Sequence, residues 1–488
     1  MNNTSPSDAS VPPDTPDSQK LSFSTKLAYG AGDLGPAITA NLGVFFALFF
    51  FTNVAGLSAG LAGSILMIGK IWDAINDPMV GVLSDRTKSR WGRRLPWMLY
   101  GAIPFGIFFW LQWVIPNFSA DRSTNNWALF WYYVIIAILF NIFYTVVNLP
   151  YTALTPELTQ DYNERTRLNS FRFAFSIGGS ILSLFLALGV FSLLKIDRAQ
   201  QYLVLAGICT VLSVLPLFWC VWGVRDRALA FEAQRLETEE PEHIPLPEQL
   251  RIAFSNRAFL YVVGIYLCSW LGVQVTAAII PYFVVNWMRL PEPEFNKVAI
   301  AVQGTAMVML FIWSAISDRV GKKAVYYMGM SLWIIAQAGL FFLQPNQVGL
   351  MYVLAVMAGF GVSTAYLIPW SMMPDVIELD ELNTGQRREG IFYGFMVFLQ
   401  KLGLALGLFL VGQALELAGF LETVPGQPAP IQPESALLAI RIAIGPLPTL
   451  ALIGGLILAY FYPITREVHA EILLKLQERK SGLENRQE

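Results

Sequence analysis

Twelve runs of predominantly apolar residues, each close to twenty long or longer, recur between Lys26 and Tyr462 and restrict this chain to very few architectures. About twenty such residues, rising about 1.5 Å each as a helix, cross the ~30 Å hydrocarbon layer of a bilayer. The runs lie near 26–52, 57–84, 96–116, 127–150, 169–194 and 202–224, then near 257–288, 297–317, 324–344, 348–373, 389–419 and 436–462. Lipid offers no hydrogen bonds, so each run must satisfy its own backbone. The expectation is an all-α membrane protein with twelve transmembrane helices in two six-helix bundles.

Composition agrees. The chain is 55% hydrophobic and 14% charged, with mean hydropathy +0.50, where soluble domains carry about 25% charged residues. A net charge of −2 and the lack of a basic arm exclude nucleic acid as partner. Cys209, Cys220 and Cys268 sit in apolar runs, and His243 and His469 have no ligand spacing. With no nucleophile–base set either, no enzyme activity, metal centre or cofactor is expected.

Residues 1–20, rich in Ser, Pro and Asp, read as a disordered cytoplasmic tail, with the first span serving as targeting signal. The polar stretch 225–256 reads as a cytoplasmic linker between bundles 21–224 and 257–465, and 466–488 as a second cytoplasmic tail. Arg86, Lys88, Arg90, Arg93 and Arg94, with Arg225, Arg227, Arg319, Lys322 and Lys323, mark one side as cytoplasmic. Both termini fall on that side of the cell (inner) membrane. The halves also echo each other: Ser84-Asp85-Arg86 matches Ser317-Asp318-Arg319, and Leu149-Pro150-Tyr151 through Glu157 matches Ile368-Pro369-Trp370 through Asp375. Duplicated bundles place a ligand site between them near mid-membrane.

One run breaks the apolar rule. Asp73 and Asp77, four residues apart in Lys70-Ile71-Trp72-Asp73-Ala74-Ile75-Asn76-Asp77-Pro78, share a helical face with Asn76 beside them. Each carboxylate in hydrocarbon costs about 2.5–3.5 kcal/mol and needs a partner. A small cation on these hard oxygen donors would supply one; an ion pair with Lys70 or Lys401 would supply another.

The six-plus-six plan with Asp-Arg loops after spans two and eight resembles the major facilitator superfamily. Lys26-Leu27-Ala28-Tyr29-Gly30, the Trp72–Pro78 run and Ser89-Arg90-Trp91-Gly92-Arg93-Arg94 resemble the glycoside–pentoside–hexuronide:cation symporters, of which the melibiose permease is the best-known member. That resemblance implies the major facilitator fold, coupling to Na+ (or H+ or Li+), and a cation site of Asp73, Asn76, Asp77 and Thr145. Lys401 matches the family's intramembrane lysine. Of its sugar-contacting positions Tyr144 and Arg172 are kept, but Ala37 and Asn148 stand where carboxylates are expected, and Thr152 and Tyr366 where tryptophans are. A second resemblance, carried by Val147–Thr155, Leu367–Ile377 and Tyr462-Pro463-Ile464, is to the animal sodium-dependent lysophosphatidylcholine symporters.

The expected substrate-binding residues are Asn41, Tyr144, Asn148, Arg172, Tyr366, Trp370 and Lys401. Asp85, Arg86, Arg90, Arg93, Asp318 and Arg319 are expected to form a cytoplasmic gate. The expected function is cation-coupled symport of a sugar or glycoside by a monomer, with a lysolipid as the alternative solute. A non-transporting membrane sensor or channel is the alternative of another class.

Overall fold

The computed structural model describes residues 21–159, 162–235, 246–385, 388–423 and 430–484; the expected tail 1–20 lies outside them. Each apolar run is helical, and no strand occurs among the described residues. The first half comprises α1 (Phe23–Ala31), α2 (Leu34–Asn53), α3 (Ala59–Arg86), α4 (Leu95–Leu111), α5 (Arg122–Ala153), the short α6 (Thr155–Leu158), α7 (Tyr162–Leu193) and α8 (Arg198–Arg235). After α9 (Leu246–Ser255), the second half comprises α10 (Arg257–Tyr282), α11 (Pro293–Val320), α12 (Lys322–Phe342), α13 (Val348–Thr384), α14 (Glu389–Leu417), α15 (Glu434–Ile444) and α16 (Pro446–Phe461), and α17 (Arg466–Glu484) follows.

Among the described residues, ten helical segments are long and apolar enough to cross a membrane, with α1–α2 and α15–α16 each forming one. The other two are α3, which carries Lys70, Asp73 and Asp77, and the 17-residue α4. The fold is thus all-α among the described residues. Within the 225–256 stretch, α8 continues to Arg235 and α9 is helical; residues 236–245 lie outside the described set. The extension of α8 is built of strong helix formers such as Arg225, Arg227, Ala228 and Leu229, and Ala228 is buried against the cluster of Leu95, Met98 and Tyr151.

Two local features aim the site. The first span breaks at Gly32, where a Cβ would fall 2.4 Å from the Tyr151 ring. Asp33 follows at the N-cap of α2, yet its side chain caps nothing and is free to face α7. In α3, Pro78 has no amide to bond the Ala74 carbonyl, leaving a backbone oxygen beside Asp73 and Asp77.

The halves are sealed at the end carrying Thr52. The Thr52 and Tyr282 hydroxyls are 2.7 Å apart, the Gly60 amide bonds Glu416 at 3.0 Å, and the Thr423 amide bonds the Thr52 carbonyl at 3.3 Å. Arg198 reaches Glu292 at 3.1 Å, and Tyr202 bonds the same carboxylate at 2.8 Å. Gly412 is essential to the close approach of α3 and α14, since a Cβ there would lie 2.6 Å from the Ala59 carbonyl oxygen and 2.8 Å from the Gly63 Cα. Toward the Asp85 end the ion pairs instead brace each half internally.

Candidate cation and substrate site

Asp73 is fully buried (side chain 1% exposed), while Asp77, one turn on, is 24% exposed. The ammonium of Lys401, from α14 in the opposite half, sits 2.6 Å from Asp77 Oδ2 and 3.1 Å from Asp73 Oδ2. It therefore does not snorkel to an interface; it bridges both carboxylates. Thr145, from α5, places its hydroxyl oxygen 3.0 Å from Oδ1 of each aspartate. One hydroxyl carries one hydrogen, so the second contact is an oxygen–oxygen approach that a cation between them would relieve. Lys70 lies 3.6 Å from Asp73, bonds the Asn141 side chain at 3.1 Å, and lies 5.6 Å over the Tyr144 ring. Asn76 bonds the Ile142 carbonyl at 3.4 Å. Both pairings expected from sequence, with Lys70 and with Lys401, thus coexist on the carboxylates that would hold a cation.

The expected substrate positions divide. Tyr144, Thr145, Asn148, Tyr151 and Thr152 recur at helical spacing along α5. The Asn148 Oδ1 is buried with no hydrogen-bond partner. Arg172 bonds Asp33 through Nε at 3.4 Å and lies 5.9 Å over the Tyr151 ring and 5.7 Å over Phe173. In the second half, Tyr366 meets Trp270 edge-on at 5.4 Å, and Trp370 stacks on Tyr393 at 5.9 Å. Asn41 is differently employed: it donates to Ser183 at 2.8 Å and to the Ser180 carbonyl at 3.0 Å, and accepts from Gln303 of α11 at 2.9 Å. In this conformation it ties the halves together and offers little to a solute.

The expected gate residues work within the halves. Asp85 pairs with Arg94 at 2.8 Å and lies 3.9 Å from Arg93, and both arginines converge on Glu157. In the second half Lys322 holds Asp375 at 2.7 Å, at the position that echoes Glu157. Arg86, Arg90 and Arg319 are exposed; the Arg319 carbonyl accepts a bond from Arg466 at 2.8 Å, and the Asp318 side chain lies outside the described residues. Sequence reading passed over Asp33, Gln303 and Glu157 as site residues. Asp33 was within reach of the rule that singled out Asp73, being a carboxylate inside an apolar run. Gln303, a neutral amide, gives no comparable signal.

The model of a family described as MFS/sugar transport protein matches residues 28–466. The chain belongs to that family. The transporter is 55% identical to an uncharacterized symporter of Synechocystis sp. over 95% of its length and 98% of the relative's. It is 31% identical to the inner membrane symporter YicJ of Escherichia coli over 88% of each chain. It is 27% identical to the sodium-dependent lysophosphatidylcholine symporter 1 of Gallus gallus, covering 94% and 90%. Among solved structures it superposes on the nucleoside transporter NupG with a TM-score of 0.61 at 12% identity, over 90% of this chain and 98% of that one. At that identity the likeness is one of fold. The chain is a multi-pass membrane transporter, not an enzyme.

Proposed function

We propose that the transporter is a cation-coupled symporter, with Na+ as the coupling ion and a sugar or glycoside as the solute, working by alternating access. The observation that carries this reading is the Lys401 ammonium lodged on Asp73 and Asp77 at 3.1 and 2.6 Å. A cation entering that nest of hard oxygens displaces the lysine and so breaks a tie between the halves. Ion occupancy and bundle geometry are then one equilibrium, and cation and solute must strengthen each other's binding equally. The relatives' names support symport, and the family description supports a sugar. The cation-rich Asp85 end is taken as cytoplasmic, so the present conformation is sealed toward the outside.

Asp77→Asn keeps the shape and removes one charge the ion needs. Uptake into proteoliposomes driven by a Na+ gradient should fall at least about a hundredfold, with insertion unchanged, since removing one partner of a buried charge cluster costs about 3–5 kcal/mol. Undiminished Na+-driven uptake would remove Asp77 from the ion site. The chicken relative keeps a lysophospholipid as second reading. Na+-enhanced binding of lysophosphatidylcholine to purified protein, with no response to any glycoside, would replace the sugar while leaving the cation-coupled carrier.

A further inference from the structure

The two halves brace their Asp85-side ends with different chemistry. In the first, Gly92, at φ 76°, leads into Arg93 and Arg94, and both guanidiniums converge on Glu157. Counting Asp85, two acids there face two bases. In the second, Gly321, at φ 88°, leads into Lys322 and Lys323. Lys322 holds Asp375, the echo of Glu157, at 2.7 and 2.8 Å and donates to the Ser371 carbonyl at 2.6 Å. Lys323 turns away and donates to the Tyr460 carbonyl at 2.7 Å. The place of the second arginine is filled from outside the duplicated unit, by His469 of α17.

His469 Nε2 lies 2.6 Å from Glu378 Oε2 and 3.4 Å from Asp375 Oδ1. Asp375 and Glu378, three residues apart on α13, share a face. They carry two negative charges against the single positive charge of Lys322, and the Asp375 side chain is only 6% exposed. A buried surplus charge is costly. A proton on His469 cancels it; a neutral imidazole leaves it in place. The other charged or titratable groups nearby do not supply the missing charge. The Tyr462 hydroxyl, buried without a hydrogen-bond partner among the described residues, would deepen the surplus if it ionised. Arg466, one turn before His469, is exposed and donates to the Arg319 carbonyl at 2.8 Å. Glu467 and Glu471 on α17 are exposed, and Glu471 is occupied by Lys475 at 2.6 Å. Through Arg466, His469 and Arg479, which donates to the Leu382 carbonyl at 3.3 Å, α17 ties the end of α11 to the end of α13.

We infer that α17 is a proton-held strap on the second bundle, docked on α13 while His469 carries a proton and released as the pH at this face rises. Histidine changes charge between about pH 5 and 8. The docked form is the one that needs the proton, so docking is strongest at the acid end of that range and is lost toward the alkaline end. The arginines that occupy the matching place in the first half keep their charge throughout, so the rigidity of the second bundle alone follows the proton concentration.

The test uses full-length protein with spin labels at Lys475 of α17 and at Arg319 at the end of α11, both exposed, frozen from about pH 6 and about pH 8.5, on either side of the histidine range. The acid sample should give one short distance. In the alkaline sample the ratio of docked to released α17 should fall about tenfold, as expected from losing one charge-assisted hydrogen bond. His469→Lys, which restores the permanent charge of the first half, should stay docked at both pH values, and His469→Gln should be released at both. Equal docked populations of the unsubstituted strap at the two pH values overturn the inference. So does alkaline release that persists in His469→Lys, or a His469→Gln strap that stays docked throughout.

Discussion

Lys401 is the residue on which most turns, because it occupies with an ammonium the oxygens that would hold the ion. Seated on Oδ2 of both Asp73 and Asp77, it gives the empty carrier its own counter-charge and avoids two bare carboxylates in lipid. Lys401→Ala removes the competitor. The apparent Na+ affinity should rise about tenfold or more, read by thermal shift against Na+ concentration in K+ medium, because truncating one partner of a buried pair costs several kcal/mol that a bound ion can now recover. The return of the empty carrier should fail, so counterflow survives better than net uptake. An unchanged Na+ dependence with equal activity in both assays would make Lys401 peripheral.

Among the helices, α3 places Lys70, Asp73 and Asp77 inside its span: these charges are made acceptable by α5, which brings Thr145 and Asn141, and by α14, which brings Lys401. The contact with α14 rests on backbone meeting backbone at Gly63 and Gly412. Gly412→Ala places a methyl group where only a hydrogen fits, against the Ala59 carbonyl and Gly63 Cα. Overpacking of this kind costs about 1–3 kcal/mol, which falls on the sealed conformation alone. A cysteine replacing Glu416 beside this contact should then become several-fold more reactive toward a water-soluble maleimide. Reactivity unchanged from the Gly412 parent would show that α3 and α14 do not part at this end.

For the whole molecule, sealing at the Thr52 end and internal bracing at the Asp85 end describe one position of a rocking pair of bundles. Spin labels at Arg90 and Arg319, exposed in opposite halves near the Asp85 end, should report two distance populations. Gly412→Ala should enrich the shorter one, because opening one end closes the other; a single unshifted distance would exclude rigid rocking. The exposed Arg122–Glu422 pair at 2.8 Å contributes at most about 1 kcal/mol to the seal. The buried Glu292, which Arg198 and Tyr202 both hold, is the stronger fastening; burial pushes its carboxyl above the usual range, opposed by Arg198.

The sequence by itself determined the helices, their number and the carboxylates that need a partner, because hydropathy and the cost of charge in lipid act locally, one span at a time. It also determined Glu157 and Asp375 as echoes of each other, since duplication copies local runs. Which partner Asp77 takes was left open between candidates, and only packing decided it, bringing Lys401 from 324 residues away. The same holds for Asn41, drawn into a bond with Gln303, and for Arg93 and Asp85, which brace one half instead of joining two. Contacts between halves depend on how two preformed bundles meet, and on which end is shut. No stretch of either half encodes that alone, because it is a property of their shared surface.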